Sequence, residues 1–262
     1  MPRIKVDSVS YYYELHGEGK PLVFIAGYGA NHTAWREMYP LFTDRCRVLI
    51  FDNPGSGRTR DSGGPLTAES MAEGTAGLIR ELALEKPHIV GHSMGGTIAQ
   101  MLAVNYPDAV GRLVIVNSAA RWDERMLMAQ RGLIRAIKHG VSVDCQLDIA
   151  MPWLFGASAL ANKDRAEALR KRLLDNPTPP TIGEMERQYP VLAGFDSSGF
   201  LHKIKAPTLV IISDDDIIAL PRESEALAGK IAGSRIARLP GGHVSEYEEP
   251  EKLAAAIRGF LQ

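Results

Sequence analysis

One serine carries the clearest chemistry in the chain. Ser93 sits in Gly91-His92-Ser93-Met94-Gly95, with Gly96 behind it, after an apolar pair and before a helix-like run. Gly-x-Ser-x-Gly between a strand and a helix predicts a very tight turn that pushes the hydroxyl out at the carboxyl edge of a sheet. Small residues two positions either side of the serine permit the reversal. The N–H of Met94 then points into the same space, and the helix that begins near Gly95 adds the positive end of its dipole.

A serine hydroxyl is a poor nucleophile alone. It needs a base, and the base needs an orienting acid. Seven histidines are available. His92 adjoins the serine but points elsewhere on a turn, so packing is its expected role. His16, His88, His139 and His202 stand in edge, strand or insertion contexts without a motif. His32, after Gly29-Ala30-Asn31, is a candidate to line the pocket. His243 ends Leu239-Pro240-Gly241-Gly242-His243, a loop between the final strand and the last helix, and is the candidate base. The acid should also close a strand. Ser213-Asp214-Asp215-Asp216 offers three carboxylates, which repel one another, so they cannot all face one buried imidazole. Asp52 ends a strand too, but the turn Asn53-Pro54-Gly55-Ser56-Gly57 follows it, and it is read as structural.

These groups meet only if several strands end at one edge. Short, continuous, β-branched runs predict strands covered on both faces: Pro21–Ala26, Arg47–Asp52, Pro87–Val90, Leu113–Val116 and Thr208–Ile212, and a final strand is read at Arg235–Leu239. Helical patterns alternate with them at Thr33–Phe42, Thr67–Leu84, Gly95–Asn105, Arg222–Ile231 and Glu251–Leu261. That alternation predicts an α/β fold with a mostly parallel sheet flanked by helices. The tyrosine-rich strand around Val9–Leu15, followed by Gly17-Glu18-Gly19, suggests an antiparallel edge hairpin.

From Arg121 to Lys205 the alternation stops. Helical stretches near Arg121–Lys138, Ala157–Leu174 and Thr181–Ala193 are separated by Gly140, by Met151-Pro152 and by Asn176-Pro177-Thr178-Pro179-Pro180. The segment is too long for a simple crossover and predicts a helical insertion at one end of the sheet. Its charge runs, such as Arg170-Lys171-Arg172, are expected on solvated helix faces.

Composition removes other classes. With 262 residues and a formal net charge of −1, nothing in the overall field favours nucleic acid or an anionic membrane. Two cysteines, Cys46 and Cys145, make neither a disulfide framework nor a metal cluster, so no metal and no cofactor is expected. Gly17-Glu18-Gly19-Lys20 is followed by Pro21 and lacks the hydroxyl residue of a phosphate-binding loop. Gly55-Ser56-Gly57 lacks the third glycine of a dinucleotide loop. The start, Met-Pro-Arg-Ile-Lys-Val-Asp, has no apolar signal core, and a cytoplasmic monomer or homodimer acting on a small molecule is expected.

Taken together, these motifs resemble the α/β-hydrolase family, in particular its esterase, enol-lactonase and cofactor-free perhydrolase branch. Gly-His-Ser-Met-Gly-Gly looks like the family's nucleophile elbow, and Asp52-Asn-Pro-Gly-Ser-Gly57 is similar to a turn common after its fourth strand. Ser213-Asp-Asp-Asp216 resembles the family's acid loop; that register selects Asp216, with Asp215 as the alternative. Gly242-His243, followed by Glu249-Pro250-Glu251, resembles its terminal histidine loop. Ala26-Gly27-Tyr28-Gly29 stands where the family has its oxyanion loop, with Ala26 in place of histidine. The resemblance therefore implies that the N–H of Tyr28 joins that of Met94, and that Gly27 borders the pocket. It implies a core of residues 1–120 and 206–262, with a helical cap, 121–205, inserted after the sixth strand. Trp122, Trp153 and Phe155, with Met126 and Leu154, are candidates for an apolar ceiling; Val244 and Tyr247 are candidates beside His243.

The activity so implied is hydrolysis of a small ester or lactone through an acyl-enzyme on Ser93. Two alternatives remain. One is hydrolysis of a carbon–carbon bond in a ring-fission diketone, although Val244 stands where such members commonly have an aromatic residue. The other is a receptor with weak turnover.

Overall fold

The computed structural model describes residues 2–262. Eight strands form one sheet: β1 (Arg3–Val6), β2 (Val9–His16), β3 (Lys20–Ile25), β4 (Cys46–Phe51), β5 (His88–His92), β6 (Leu113–Val116), β7 (Thr208–Ser213) and β8 (Arg235–Leu239). Their order is β1-β2-β4-β3-β5-β6-β7-β8. From β4 to β8 every neighbouring pair is parallel, while β2 runs antiparallel to both β1 and β4. An edge hairpin forms between β1 and β2, not across the Gly17–Gly19 turn where it was expected. The Gly17–Gly19 turn instead carries the chain past β4 to β3.

The unbroken apolar runs of the central strands β3 to β7 bury both of their faces, whereas β1, β2 and β8 stay partly exposed. In β3, Val23 and Ile25 pack to one side, while Leu22 and Phe24 pack to the other. The first side is covered by helices α1 (Ala68–Glu81) and α2 (Met94–Asn105). α1 starts in a capping box between Thr67 and Ser70, which satisfies two otherwise orphaned amides. The second side carries Trp35, Met38 and Phe42. Here the expected Thr33–Phe42 helix is two short 3-10 turns, His32–Trp35 and Tyr39–Leu41, the second carrying Pro40 near its start.

Five helices lie between β6 and β7: α3 (Glu124–Lys138), α4 (Val143–Leu154), α5 (Ala157–Ala161), α6 (Lys163–Leu174) and α7 (Ile182–Ala193). α4 runs through Met151-Pro152, where a break was expected. Pro152 falls in the last turn, so it withholds one amide, the partner of the Asp148 carbonyl, and only two helical residues follow it. The two ends of the segment meet: Arg121 bridges Asp196, and the Ser197 N–H donates to the Ala120 carbonyl at 2.8 Å. The chain closes with α8 (Pro221–Gly229), α9 (Ser245–Glu248) and α10 (Pro250–Leu261); α8 joins the first core side and α10 the second. No helix among the described residues is long and apolar enough to cross a membrane.

Candidate active site

Ser93 links β5 to α2 with φ 55° and ψ −120°, a strained backbone for a residue with a Cβ. Its surroundings hold it there. The Ser93 N–H donates to Val116 at 3.0 Å, and the Ser93 carbonyl accepts from Gly96 and Thr97 at 2.9 and 3.1 Å and from the Ser118 hydroxyl at 2.8 Å. A Cβ on Gly91 would overlap the Gly95 carbonyl oxygen, so glycine is required by packing as well as by the turn.

His243 follows β8 and Asp216 follows β7, both at the sheet edge where Ser93 emerges. The Ser93 hydroxyl lies 2.8 Å from His243 Nε2, and His243 Nδ1 lies 2.8 Å from Asp216 Oδ2. Asp216 Oδ1 accepts from the N–H groups of Ile218 and Ala219 at 2.8 and 3.0 Å. The carboxylate therefore accepts a hydrogen bond from Nδ1–H, which fixes the proton there and leaves the Nε2 lone pair to receive the proton of Ser93. All three side chains are buried. Asp214 and Asp215 are exposed; Asp214 pairs with Arg238 instead.

Met94 is the first residue of α2, so its N–H has no acceptor within the helix. Across the cavity, Gly27–Ala30 form a turn closed by the Ala30 N–H on the Gly27 carbonyl at 3.3 Å. Gly29 has φ +64° at its third position, as a type II turn requires, and the amide of Tyr28 is not used in closing it. The Tyr28 hydroxyl donates to the Met185 carbonyl at 3.0 Å and the Gly29 N–H to Gln188 at 2.9 Å. The loop is thus tied to α7.

Above Ser93 lies a cavity of about 680 Å³. Gly27, Tyr28 and Val244 line it, as expected, and Tyr247 does too. Its apolar wall comes from Leu133 and Ile137 of α3, Leu147 and Ala150 of α4, and Leu173 and Leu174 at the end of α6. Five expected pocket residues are elsewhere. His32 is buried against Asp52, which accepts from both its backbone N–H (2.8 Å) and its Nδ1 (2.6 Å). Trp122 is buried in the main core and donates to Thr97 at 3.2 Å. Trp153 packs on that same core. Phe155 forms a small separate core with Met151, Ala159 and Leu169. Aromatic side chains bury the most area per residue, and here they hold the insertion together rather than line its cavity. Met126 joins the main core as well, whereas Leu154 does border the cavity.

Sequence reasoning missed four supports of the site. Asn117, at the end of β6, donates to the His243 carbonyl at 2.7 Å and accepts from the Ser213 N–H at 2.9 Å. Glu248 Oε2 accepts from the N–H groups of Gly242 and Gly156, each at 3.0 Å, joining the histidine loop to the start of α5. His92 borders the cavity, and its Nε2 donates to the His243 carbonyl at 2.8 Å. Burial, with the neighbouring His243, pushes His92 down to about 3. Glu246 borders the cavity too, and burial pushes its carboxyl up to about 7. Asn117, Glu248 and Glu246 had no local motif to mark them, and His92, inside the elbow motif, was read as a packing residue. Among the described residues, no group of three His, Cys, Asp or Glu side chains is placed to hold a metal ion.

Comparison with known proteins agrees with this architecture. A family model described as the alpha/beta hydrolase fold matches residues 20–250. RutD of Caulobacter sp. (strain K31), proposed to be a carbamate hydrolase, is 30% identical over 257 residues, covering 95% of each chain. A thermophilic esterase from Thermogutta terrifontis superposes with a TM-score of 0.87 at 26% identity, covering 100% of this chain and 98% of the other. The enol-lactonase from Burkholderia xenovorans LB400 has the same fold, with a TM-score of 0.87 at 23% identity over 99% of both chains.

Proposed function

Because this chain belongs to the alpha/beta hydrolase fold family, we propose that it is a serine hydrolase cleaving a carboxylic ester or lactone of a small molecule. The observation that carries the proposal is the unbroken line Ser93–His243–Asp216, with both contacts at 2.8 Å, at the inner end of a large apolar cavity.

Ser93 Oγ attacks the carbonyl carbon while its proton passes to His243 Nε2. Asp216 fixes the imidazole tautomer and stabilises the cation that forms. The amides of Met94 and Tyr28 receive the developing oxyanion; each donor in such a site is worth about 100- to 1000-fold in rate. Collapse expels the alcohol, which takes the proton from Nε2. Water, giving a proton to the same nitrogen, attacks the acyl-enzyme, and the acid departs as Ser93 recovers its proton. Residues 121–205 act as a cap on a core of residues 1–120 and 206–262, and the apolar wall of α3, α4 and α6 favours an apolar substituent on the substrate.

The same steps serve a carbamoyl carbonyl, which the name of the Caulobacter relative makes worth including. The test is a panel of aryl esters, lactones, carbamates and ring-fission diketones, with a serine-directed phosphonate located by mass spectrometry. Turnover of an ester or lactone, with the label on Ser93, is the expected result. Label elsewhere, or turnover retained in Ser93→Ala, would overturn the mechanism. Turnover far below ordinary enzymatic rates would favour a receptor.

A further inference from the structure

The turn Gly27–Ala30, which carries the Tyr28 amide, is held from two sides. Its ends are held by the loop after β4: the Ala26 carbonyl accepts from Asn53 Nδ2 at 3.1 Å, and the Ala30 carbonyl from the Ser56 hydroxyl at 2.7 Å. Its two middle residues are bonded to α7, one of the five helices between β6 and β7. The Tyr28 hydroxyl donates to the Met185 carbonyl at 3.0 Å, and the Gly29 N–H donates to Gln188 Oε1 at 2.9 Å. Gln188 is fully buried, and the hydrolytic steps do not use it.

Packing does not choose the conformation of this turn. Beyond its chain neighbours, a Cβ built on Gly29 would meet only Pro180, at 3.9 Å, so this glycine has room around it. Glycine adopts positive and negative φ about equally well. The type II turn, with Gly29 at φ +64°, therefore competes with a type I turn in which the Tyr28–Gly29 peptide is rotated by about half a turn. That rotation exchanges the directions of the Tyr28 carbonyl and the Gly29 N–H.

Gln188 selects between the two because its amide has one orientation. Its Nε2 faces the Pro54 carbonyl at 3.4 Å. A carbonyl only accepts, so the nitrogen belongs on that side and Oε1 on the side of the turn. In the type II form Oε1 meets the Gly29 N–H. The type I form would turn the Tyr28 carbonyl toward it, acceptor against acceptor, and leave a buried oxygen without a donor, which is costly.

We propose that Gln188 is a positioning residue of the oxyanion hole: by accepting from the Gly29 N–H it locks the turn in the form that aims the Tyr28 amide at the substrate's carbonyl oxygen. The inference rests on hydrolysis by Ser93. It gives α7 a part in the chemistry as well as in covering the cavity. The Met94 amide is fixed by α2, whereas the Tyr28 amide is fixed from α7. The neighbouring Arg187 seats the same helix without touching the turn: its Nη2 donates to Asp61 Oδ1 at 2.9 Å and to the Gly64 carbonyl at 3.1 Å.

The experiment compares Gln188→Met, Gly29→Ala and Arg187→Met with the wild type. Gln188→Met removes the acceptor and keeps the bulk. Gly29→Ala has space for its methyl but disfavours positive φ, so it tilts the turn toward type I without touching α7. Each protein is assayed for kcat and KM on a 4-nitrophenyl ester. Inhibition is measured with an alkyl trifluoromethyl ketone, whose carbonyl adds the Ser93 hydroxyl and becomes an oxyanion, and with the methyl ketone of the same chain, which binds without adding. Gln188→Met and Gly29→Ala should each lower kcat and weaken the trifluoromethyl ketone by about tenfold or more, as a displaced reacting group does. KM and methyl ketone binding should change little. Arg187→Met should lower stability to urea and keep the wild-type ratio of the two ketones.

Trifluoromethyl ketone binding unchanged in Gln188→Met, or both ketones weakened equally, overturns the role of Gln188. So does an equal loss in Arg187→Met, which would mark a general loosening of α7. A wild-type ketone ratio in Gly29→Ala overturns it even if Gln188→Met does not fold. Turnover that survives Ser93→Ala, or a wild type that binds both ketones alike, overturns the hydrolytic reading itself, and the oxyanion hole with it.

Discussion

Asn117 grips the backbone carbonyl of His243: its Nδ2 donates to that oxygen at 2.7 Å while its Oδ1 accepts from Ser213 at 2.9 Å. The same carbonyl accepts from His92 at 2.8 Å. Groups at the ends of β5, β6 and β7 thus converge on the loop that carries the candidate base. Asn117→Ala should lower kcat by about 10- to 100-fold, because a base displaced by a fraction of an ångström to an ångström loses its attack geometry. Steady-state kinetics check this, and an unchanged kcat would show that the loop is held by its other contacts.

Asp216 and Asp215 should separate cleanly. Asp216→Asn keeps the shape but removes the charge and the tautomer control, and a fall in kcat of about 10,000-fold is expected by analogy with other serine triads. Asp215 is exposed, so Asp215→Asn should stay within a few-fold of the wild type. Parallel ester assays on the two variants decide it; the reverse ranking would move the acid by one residue.

Gly27→Ala tests the crowding behind the nucleophile. The added methyl would meet Ser93 Cβ at 3.2 Å and His92 Nδ1 at 3.3 Å, closer than ordinary carbon contacts. Loss of kcat by about tenfold or more is expected from the shift this forces, with the fold intact by circular dichroism.

Trp122 and Leu147 distinguish core from cavity wall. Trp122→Ala should cost about 3–5 kcal/mol of stability, as expected for emptying a buried aromatic site, measured by urea unfolding. Leu147→Trp should instead move the preferred acyl length downward, read from a series of 4-nitrophenyl esters. A change of length preference in Trp122→Phe would return that residue to the pocket.

Glu246 gives stability a pH dependence of known sign. Its ordinary value of 4.5 is raised to about 7 by burial, with His243 and Arg172 opposing and Asp216 assisting; His92 and Tyr247 also adjoin it. Between those pH values the native protein keeps a proton that the unfolded chain releases. Its contribution is therefore whole below 4.5 and declines as pH rises toward 7, by about 3 kcal/mol in all. His92, depressed from 6.5 to about 3, acts in the opposite sense, and its contribution is lost as pH falls through that range. Glu246→Gln removes only the first effect. Its stability relative to the wild type should rise between pH 4.5 and 7 in urea titrations; a flat difference would contradict a buried neutral acid.

The elements were largely legible, and their failures have physical causes. β6 and β8 match the expected boundaries residue for residue; β6 is covered on both faces and has no polar positions to blur its ends, while β8, an exposed edge strand, is bounded by the Pro240-Gly241-Gly242 turn that follows it. α4 was hidden by Pro152, since proline marks a helix end far more often than it sits inside one. His32 was misplaced because its partner, Asp52, is twenty residues distant in sequence. The aromatic residues of the insertion were misplaced for a related reason. Helical spacing shows that a face is buried, but a core and a cavity wall are both apolar.

What the sequence determined by itself is the elbow that presents Ser93, and with it the chemistry for which that serine is a candidate. The requirements there are local: glycines that relieve a clash, a strand before and a helix after, all within a dozen residues. The loop of His243 and the family's acid register were within reach for the same reason. Only the tertiary structure decided what surrounds that chemistry. Asn117, Glu248, His92 and Glu246 act through partners brought together by strand order and by the packing of the insertion on the sheet. The partner of a buried polar group depends on which segments meet, and spacing along one chain does not carry that information.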